Sequence, residues 1–270
     1  MTTDEKFNAL KEALHHMKRV IIAYSGGVDS TFLLKTASLS GLEDILAVTS
    51  ASSSLPKKEL DFSKQMTSAL NIRHKIIETE EMKDENYSNN PPDRCYYCKK
   101  ELFGRLRNIA EETDFRFILD GTNADDKEDW RPGRRAALEN SVHSPLLDAG
   151  FSKREIRDIS RSFGLPTWDK PATPCLSSRF PYGEKITAAG LERVELAENF
   201  IRKFGFKELR VRDHAGTARI EIISDDFKIC MTEEVRPQIL SYLKSLGYKY
   251  VTLDLHGFRS GSMNESIKKP

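Results

Sequence analysis

The chain alternates between short apolar runs and longer stretches with helical spacing. Residues 5–18 predict a helix that leads into Val20-Ile21-Ile22-Ala23, an uninterrupted apolar run that predicts a buried strand. Phe32-Leu33-Leu34 with Ala37 follows as one face of a helix. Ile45-Leu46-Ala47-Val48-Thr49 predicts a second strand, 57–70 a helix, and His74-Lys75-Ile76-Ile77 a third strand. Phe115-Arg116-Phe117-Ile118-Leu119 predicts a fourth, ending in Asp120-Gly121-Thr122-Asn123. Strands alternating with helices imply right-handed crossovers and a mostly parallel, doubly wound α/β sheet with helices on both faces. Ligands of such sheets bind beyond the carboxyl ends of the strands.

Further along, Ser152-Lys153-Arg154-Glu155 is a capping-box pattern before Ile156, Ile159 and Phe163 at helical spacing. Residues 166–183 have no period and contain four prolines, which predicts a long functional loop or linker. The pattern then changes to a helix over 188–204, strands over 209–214 and 218–223, a helix over 233–245 and a strand over 250–254. That order describes a second, smaller α+β domain. The junction is placed within 180–186, giving domains 1–182 and 183–270.

The turn after the first strand reads Ser25-Gly26-Gly27-Val28-Asp29-Ser30. Two glycines allow close backbone approach, Ser25 and Ser30 can donate hydroxyl bonds, and Asp29 can position Mg²⁺. The following helix turns its positive end toward the same place, so the turn suits an anion. A plain strand–turn–helix joint capped by Asp29 or Ser30 is the alternative. Neither GxxxxGK[ST] nor GxGxxG follows the strand, which lowers the expectation of γ-phosphate transfer or dinucleotide binding.

Composition narrows the setting. The chain has 270 residues, 39% hydrophobic and 31% charged, and its 42 Lys+Arg against 41 Asp+Glu leave a formal charge of +1. No whole-molecule field attracts nucleic acid. No apolar run approaches the roughly 20 residues of a membrane span, and the first residues lack a signal-peptide pattern, so a cytoplasmic protein is expected. In that compartment four cysteines read as ligands, reactive thiols or core residues rather than disulfides. Cys95 and Cys98 form a CxxC just before a helix, and Cys175 lies in the proline-rich loop. Cys230, among apolar neighbours, reads as a core residue. A redox pair would not need Cys175, and closed structural zinc would want a fourth ligand. Three thiolates can hold a [4Fe–4S] cluster with one iron open.

In the second domain Leu191, Val194 and Ile201 define a helical stripe on which Glu198 also falls, at its edge or facing a polar site. Alternation puts Arg210 and Arg212 on one strand face, either solvated or gripping a phosphate, for which guanidinium forks are suited. Arg259 is a third candidate for the same phosphate. Ser178 and Arg179, beside Cys175, could position phosphate or an adenylate. Lys99 is read as a pyrophosphate contact or an exposed helix lysine, and Asp129 and Arg131 as substrate or interface residues.

SGGVDS resembles the PP-loop of the ATP pyrophosphatases, which implies a loop cradling the β,γ-pyrophosphate while a substrate oxygen attacks the α-phosphorus. It also implies that Thr49 and Asn123 lie near the adenosine. The wider set SGGVDST, CYYCKKELF, LDGTNADDKEDWRPGRRA, CLSSRFPYG, LRVRDHAGTARIE and YVTLDLHGFRSGSMN spans nearly the whole chain and resembles the LarE family. This resemblance implies an ATP-dependent sulfur transferase for the nickel-pincer nucleotide of lactate racemase. Such an enzyme adenylates a carboxylate of pyridinium-3,5-biscarboxylic acid mononucleotide and converts it to a thiocarboxylate. The three cysteines imply sulfur carried on a [4Fe–4S] cluster held by Cys95, Cys98 and Cys175, with Cys175 as a sacrificial donor the alternative. Glu198 is implied as a metal ligand, although its usual aspartate partner has no clear match in 224–228. Homo-oligomerisation is implied as well. Cluster-dependent tRNA thiolation and an ATP-sensing binding protein are the competing readings.

Overall fold

The computed structural model describes residues 1–127, 131–259 and 261–263, and the candidate Asp129 lies outside them. The chain divides into two compact units, 1–81 with 95–173 and 82–94 with 174–270.

The first unit opens with α1 (Thr3–Met17), started by a capping box in which the Thr2 side chain and Glu5 satisfy each other's backbone N–H groups. Then come β1 (Arg19–Ala23), α2 (Val28–Ser38), β2 (Asp44–Ala51), α3 (Lys57–Ala69) and β3 (Arg73–Glu78). After the excursion into the second unit, which carries α4 (Glu85–Ser88), the chain forms α5 (Arg94–Thr113) and β4 (Phe117–Leu119). It continues with α6 (Gly133–Glu139), α7 (Pro145–Asp148) and α8 (Lys153–Ser162). The strands make one parallel sheet in the order β3-β2-β1-β4.

Successive residues of β1 serve opposite faces, as the two-residue period requires. Val20 and Ile22 join Leu10, Leu33, Phe151 and Ile156 on one side, whereas Ile21 and Ala23 join Phe103, Leu106 and Ala136 on the other. An apolar run without alternation was therefore the right mark of a strand covered on both sides, and the doubly wound sheet is observed. Two local readings are corrected. The fourth strand begins at Phe117, because the Phe115 N–H closes the end of α5 on the Ala110 carbonyl. Cys95 and Cys98 are the second and fifth residues of α5 rather than preceding the helix.

The second unit contains α9 (Ala188–Arg202), β5 (Leu209–His214), β6 (Thr217–Ile222), α10 (Phe227–Cys230), α11 (Val235–Ser245) and β7 (Tyr250–Leu253). Its sheet has the order β5-β6-β7, antiparallel then parallel. Ala215 and Gly216, both with positive φ, make the hairpin turn between β5 and β6. Ala197, Ile201, Val211, Ile220, Ile239 and Leu243 form its core, and Cys230 is buried among them. Residues 82–94 join this unit through hydrogen bonds: Ile186 N–H donates to the Ser88 carbonyl, and Asn90 Nδ2 to the carbonyls of Phe180 and Pro181.

Candidate active site

In the first unit the order of strands reverses between β1 and β4, because β2 and β3 extend the sheet on one side of β1 and β4 on the other. The crevice at such a reversal is where α/β sheets take their ligands. The glycine turn leaves β1 at this point. Gly26 has φ +71°, a left-handed conformation that suits glycine. Gly27 caps α2 without any side-chain bond, so no side-chain oxygen covers the first N–H groups of that helix. Ser25 Oγ lies 3.1 Å from Ser30 Oγ and 3.4 Å from the Gly27 nitrogen. From β4, Gly121 packs so closely that a Cβ there would meet the Ser30 nitrogen at 2.9 Å. The turn is thus gripped by backbone from the neighbouring strand end.

Around it stand groups with unspent hydrogen-bonding capacity. Asp29 Oδ2 accepts from Lys153 Nζ at 2.7 Å, while its buried Oδ1 has no hydrogen-bond partner among the described residues. Buried polar atoms are seldom left unpaired in folded proteins. A hard cation is the natural occupant of a bare carboxylate oxygen, so Asp29 fits Mg²⁺. Asn123 is fully buried; its Oδ1 accepts from the Asp125 N–H at 3.0 Å, and its Nδ2 has no partner among the described residues. Thr49 donates to the Tyr24 carbonyl at 2.7 Å and receives His74 Nε2 at 2.8 Å.

Sequence reasoning missed three residues here: Lys153, Asp126 and Lys170. Asp126 pairs with Arg131 at 2.6 Å and accepts the Asn123 N–H. Burial raises its carboxyl pKa, with Asp29 adding to the effect. The only sequence signal for Asp126 was its place in the motif after β4; the two lysines had none.

Cys95 and Cys98 are three residues apart on α5 and so share a helix face; Cys95 is exposed and Cys98 half-buried. Lys99, half-buried, has its Nζ 5.3 Å from the Phe103 ring centre, and a Cβ at Gly133 would lie 3.0 Å from its Cγ. Among the described residues no group of three His, Cys, Asp or Glu side chains is gathered closely enough to hold a metal ion. Cys175 belongs to the other unit.

In the second unit Cys175 starts a short 3₁₀ turn, Leu176–Arg179. Its carbonyl accepts from the Ser178 hydroxyl at 2.8 Å and from Arg179 Nη1 at 3.2 Å. Arg179 is 2% exposed and forks onto Glu198, Nε to Oε1 at 2.8 Å and Nη2 to Oε2 at 3.0 Å. Glu198 also accepts from the Val211 N–H and from Arg202. Burial opposes charge on both partners, but each more than offsets it for the other: the Arg179 pKa is raised and that of Glu198 lowered. Every oxygen of Glu198 is engaged twice, so a metal ion there would have to displace a guanidinium. In this arrangement Glu198 does not fit a metal ligand.

Arg210 and Arg212 are both buried rather than solvated. Arg212 forks onto Glu221 at 3.0 and 2.9 Å, and also donates to the Ser178 carbonyl and the Ser262 hydroxyl. Arg219 reaches the same Glu221 at 3.0 Å. Arg210, directly across the ladder from Glu221, has no ion pair among the described residues. Its Nη1 makes a long 3.4 Å contact with the Arg259 carbonyl, and its guanidinium lies 4.7 Å from the Phe258 ring centre. Burial, then the nearby charges of Arg212 and Arg179, pull its pKa down to about 10. Gly257 brings this last segment in, since a Cβ there would meet the Ile222 carbonyl at 2.7 Å. Of the buried arginines Arg179, Arg210 and Arg212, the first and last are matched by carboxylates, whereas Arg210 has no ion pair among the described residues.

No helix among the described residues is long and apolar enough to cross a membrane. No protein-family model matches the chain. It is 38% identical over 272 residues, 99% of this chain and 97% of the relative, to pyridinium-3,5-bisthiocarboxylic acid mononucleotide synthase of Lactiplantibacillus plantarum. An uncharacterised protein of Synechocystis is 41% identical over 266 residues, 98% of this chain and 99% of its own. The tRNA-specific 2-thiouridylase of Desulforamulus reducens is 24% identical over 195 residues, 57% of this chain and 53% of that one.

Proposed function

The chain belongs to the family of pyridinium-3,5-bisthiocarboxylic acid mononucleotide synthases, the LarE family, and from that premise we propose an ATP-dependent sulfur transfer to a pyridinium mononucleotide. Its first unit has the α/β fold of the PP-loop superfamily. The substrate is pyridinium-3,5-biscarboxylic acid mononucleotide. One of its carboxylate oxygens attacks the α-phosphorus of ATP, pyrophosphate leaves, and an acyl adenylate forms. Hydrosulfide then attacks the acyl carbon, AMP leaves with the former carboxylate oxygen, and a thiocarboxylate remains. The product serves the nickel-pincer cofactor of lactate racemase.

The observation that carries the nucleotide half is the glycine turn. The N-terminus of α2 has no side-chain cap, and Asp29 keeps one buried oxygen without a partner among the described residues. Backbone N–H groups there, with Ser25 and Ser30, are suited to the β,γ-pyrophosphate. Asp29 would hold Mg²⁺, which when bound neutralises charge on the phosphates. Thr49 and Asn123 are assigned to the adenosine and Lys99 to pyrophosphate. Arg210, a buried cation without an ion pair among the described residues, is assigned to the phosphate of the mononucleotide, with Arg259 beside it. Glu198 is assigned to holding Arg179 and Arg202, and Arg212 is held by Glu221.

Cys95, Cys98 and Cys175 would hold a [4Fe–4S] cluster, which when bound supplies an open iron for the incoming sulfur. The paired thiols on one turn of α5 support two of its three ligands. A second reading makes Cys175 itself the donor, favoured by its place against Arg179, which donates to the Cys175 carbonyl at 3.2 Å. Anaerobic turnover with excess sulfide, followed by mass spectrometry of the Cys175 peptide, separates them. Several products per chain with an intact Cys175 supports the cluster; one product per chain and loss of H₂S from Cys175 supports sacrifice.

A further inference from the structure

Lys170 lies in the proline-rich stretch that ends the first unit, and nothing in the reaction as described uses it. Its backbone is pinned from two sides. The Lys170 N–H donates to the Thr167 carbonyl, and Arg157 of α8 donates to the carbonyls of Trp168 at 2.7 Å and Lys170 at 2.8 Å. The side chain then runs to the glycine turn. Its Nζ donates to the Gly26 carbonyl at 3.1 Å and to Glu59 Oε2 at 2.7 Å, and stands 3.8 Å from the Phe62 ring centre. Both ends of the ion pair are shielded, with side-chain exposures of 16% for Lys170 and 6% for Glu59. Such a pair is costly to bury unless the charges meet and remaining donors find acceptors. Here the spare donor is spent on the PP-loop backbone.

The chosen carbonyl matters because of peptide geometry. The Gly26 C=O and the Gly27 N–H belong to one trans peptide plane and point in opposite directions. A cation holding the oxygen on one side therefore holds the N–H on the other, toward Ser25 Oγ and the uncapped start of α2. Gly26 has no side chain to lock it, and its positive φ is one of several conformations glycine adopts freely. Phe62 packs on the same side, its Cδ1 3.5 Å from where a Gly26 Cβ would be.

We propose that Lys170 is a positioning residue of the nucleotide site, its ammonium fixed by Glu59 and used to turn the Gly26–Gly27 peptide so that the N–H faces the polyphosphate. The inference rests on the nucleotide reading of the turn. It predicts an effect confined to ligands that carry the β,γ-phosphates, because AMP does not reach that peptide.

The test is isothermal titration of the full chain with α,β-methylene-ATP, with pyrophosphate and with AMP. Wild type is compared with Lys170→Met and Lys170→Arg, and thermal melting of each is recorded. Loss of one preorganising charged bond should weaken the ATP analogue and pyrophosphate by about 10-fold and leave AMP unchanged. Lys170→Arg, which keeps a cation against Glu59 and the carbonyl, should recover most of the loss. If Lys170→Met does not fold, Glu59→Gln is measured in its place and should show the same ligand pattern at about 3-fold. Wild-type affinity for the ATP analogue and pyrophosphate in the variant would overturn the assignment. So would an equal loss for all three ligands, with lowered melting and no recovery by arginine, which would make Lys170 a packing residue. Wild-type protein that takes up neither the ATP analogue nor pyrophosphate would instead overturn the nucleotide reading itself.

Discussion

The glycine turn of the first unit and the arginine cluster of the second both carry groups suited to anions, yet they are built in opposite ways. At the turn the backbone supplies the donors, and key polar atoms have no partner among the described residues: the uncapped start of α2, Asp29 Oδ1 and Asn123 Nδ2. In the cluster the side chains supply the donors, and most are already consumed. Arg179 is locked onto Glu198, and Arg212 onto Glu221. The difference separates residues that support a site from those that can bind. A buried charge with a fitted partner holds the fold, whereas a buried charge or oxygen without one is available to a ligand. By that criterion Asp29 and Arg210 are the groups proposed to bind, each in its own unit, and Glu198, Arg179 and Arg212 are proposed to hold the second unit together, as its scaffolding.

The largest effect should come from attacking the scaffolding. Glu198→Ala leaves Arg179 buried without its partner, and breaking such a pair costs about 3–5 kcal/mol. Denaturant unfolding should show the loss, and a variant as stable as wild type would dissolve the distinction drawn here. Asp29→Asn should do the reverse. Adenylation is expected to fall about 100-fold through loss of the charge that places the metal, while stability stays within roughly 0.5 kcal/mol. An equal fall in stability would put Asp29 with the scaffolding.

Arg210 against Arg212 sharpens the comparison within one strand. Arg210→Ala should weaken the phosphorylated substrate about 10- to 150-fold, as expected for losing a charged hydrogen-bond partner, with ATP affinity intact. Arg212→Ala should chiefly lower stability, because Glu221 would lose its fork partner. Substrate titration of both variants checks this, and the converse pattern would exchange their roles.

The smallest effect concerns a pair away from either site. Burial would raise the Glu155 pKa, but Lys6 and the Ser152 capping box outweigh it and bring it down to about 2. A carboxylate whose folded pKa is depressed stabilises the fold above its unfolded pKa, and the contribution fades as pH falls toward the folded value. The melting difference between wild type and Glu155→Gln should therefore be full at pH 6 and shrink from about pH 4.5 toward pH 2. A difference independent of pH would assign Glu155 a purely steric role.

Much of the first unit was legible because its physics is local. A short unalternating apolar run followed at once by a glycine turn reads as a strand covered on both faces, and the glycines mark the turn toward the ligand edge. The alliances of charged residues were not legible. Arg212 stands opposite Arg219 in the ladder, yet both reach Glu221, leaving Arg210 beside that same glutamate without an ion pair among the described residues. Periodicity gives the strand face but not which of two arginines takes the carboxylate. Lys153 and Lys170 act on the turn from 124 and 144 residues away, through long side chains with no local pattern. Residues 82–94 likewise join the second unit through Ser88 and Asn90, by contacts about ninety residues distant in sequence.

The most direct test of the central claim is the fate of the ATP phosphates. Anaerobic protein with Mg²⁺, sulfide, ATP and pyridinium-3,5-biscarboxylic acid mononucleotide should be followed by phosphorus NMR. The account predicts AMP and pyrophosphate in equal amounts, formed only when the carboxylate substrate is present. ADP and inorganic phosphate as the products would contradict it.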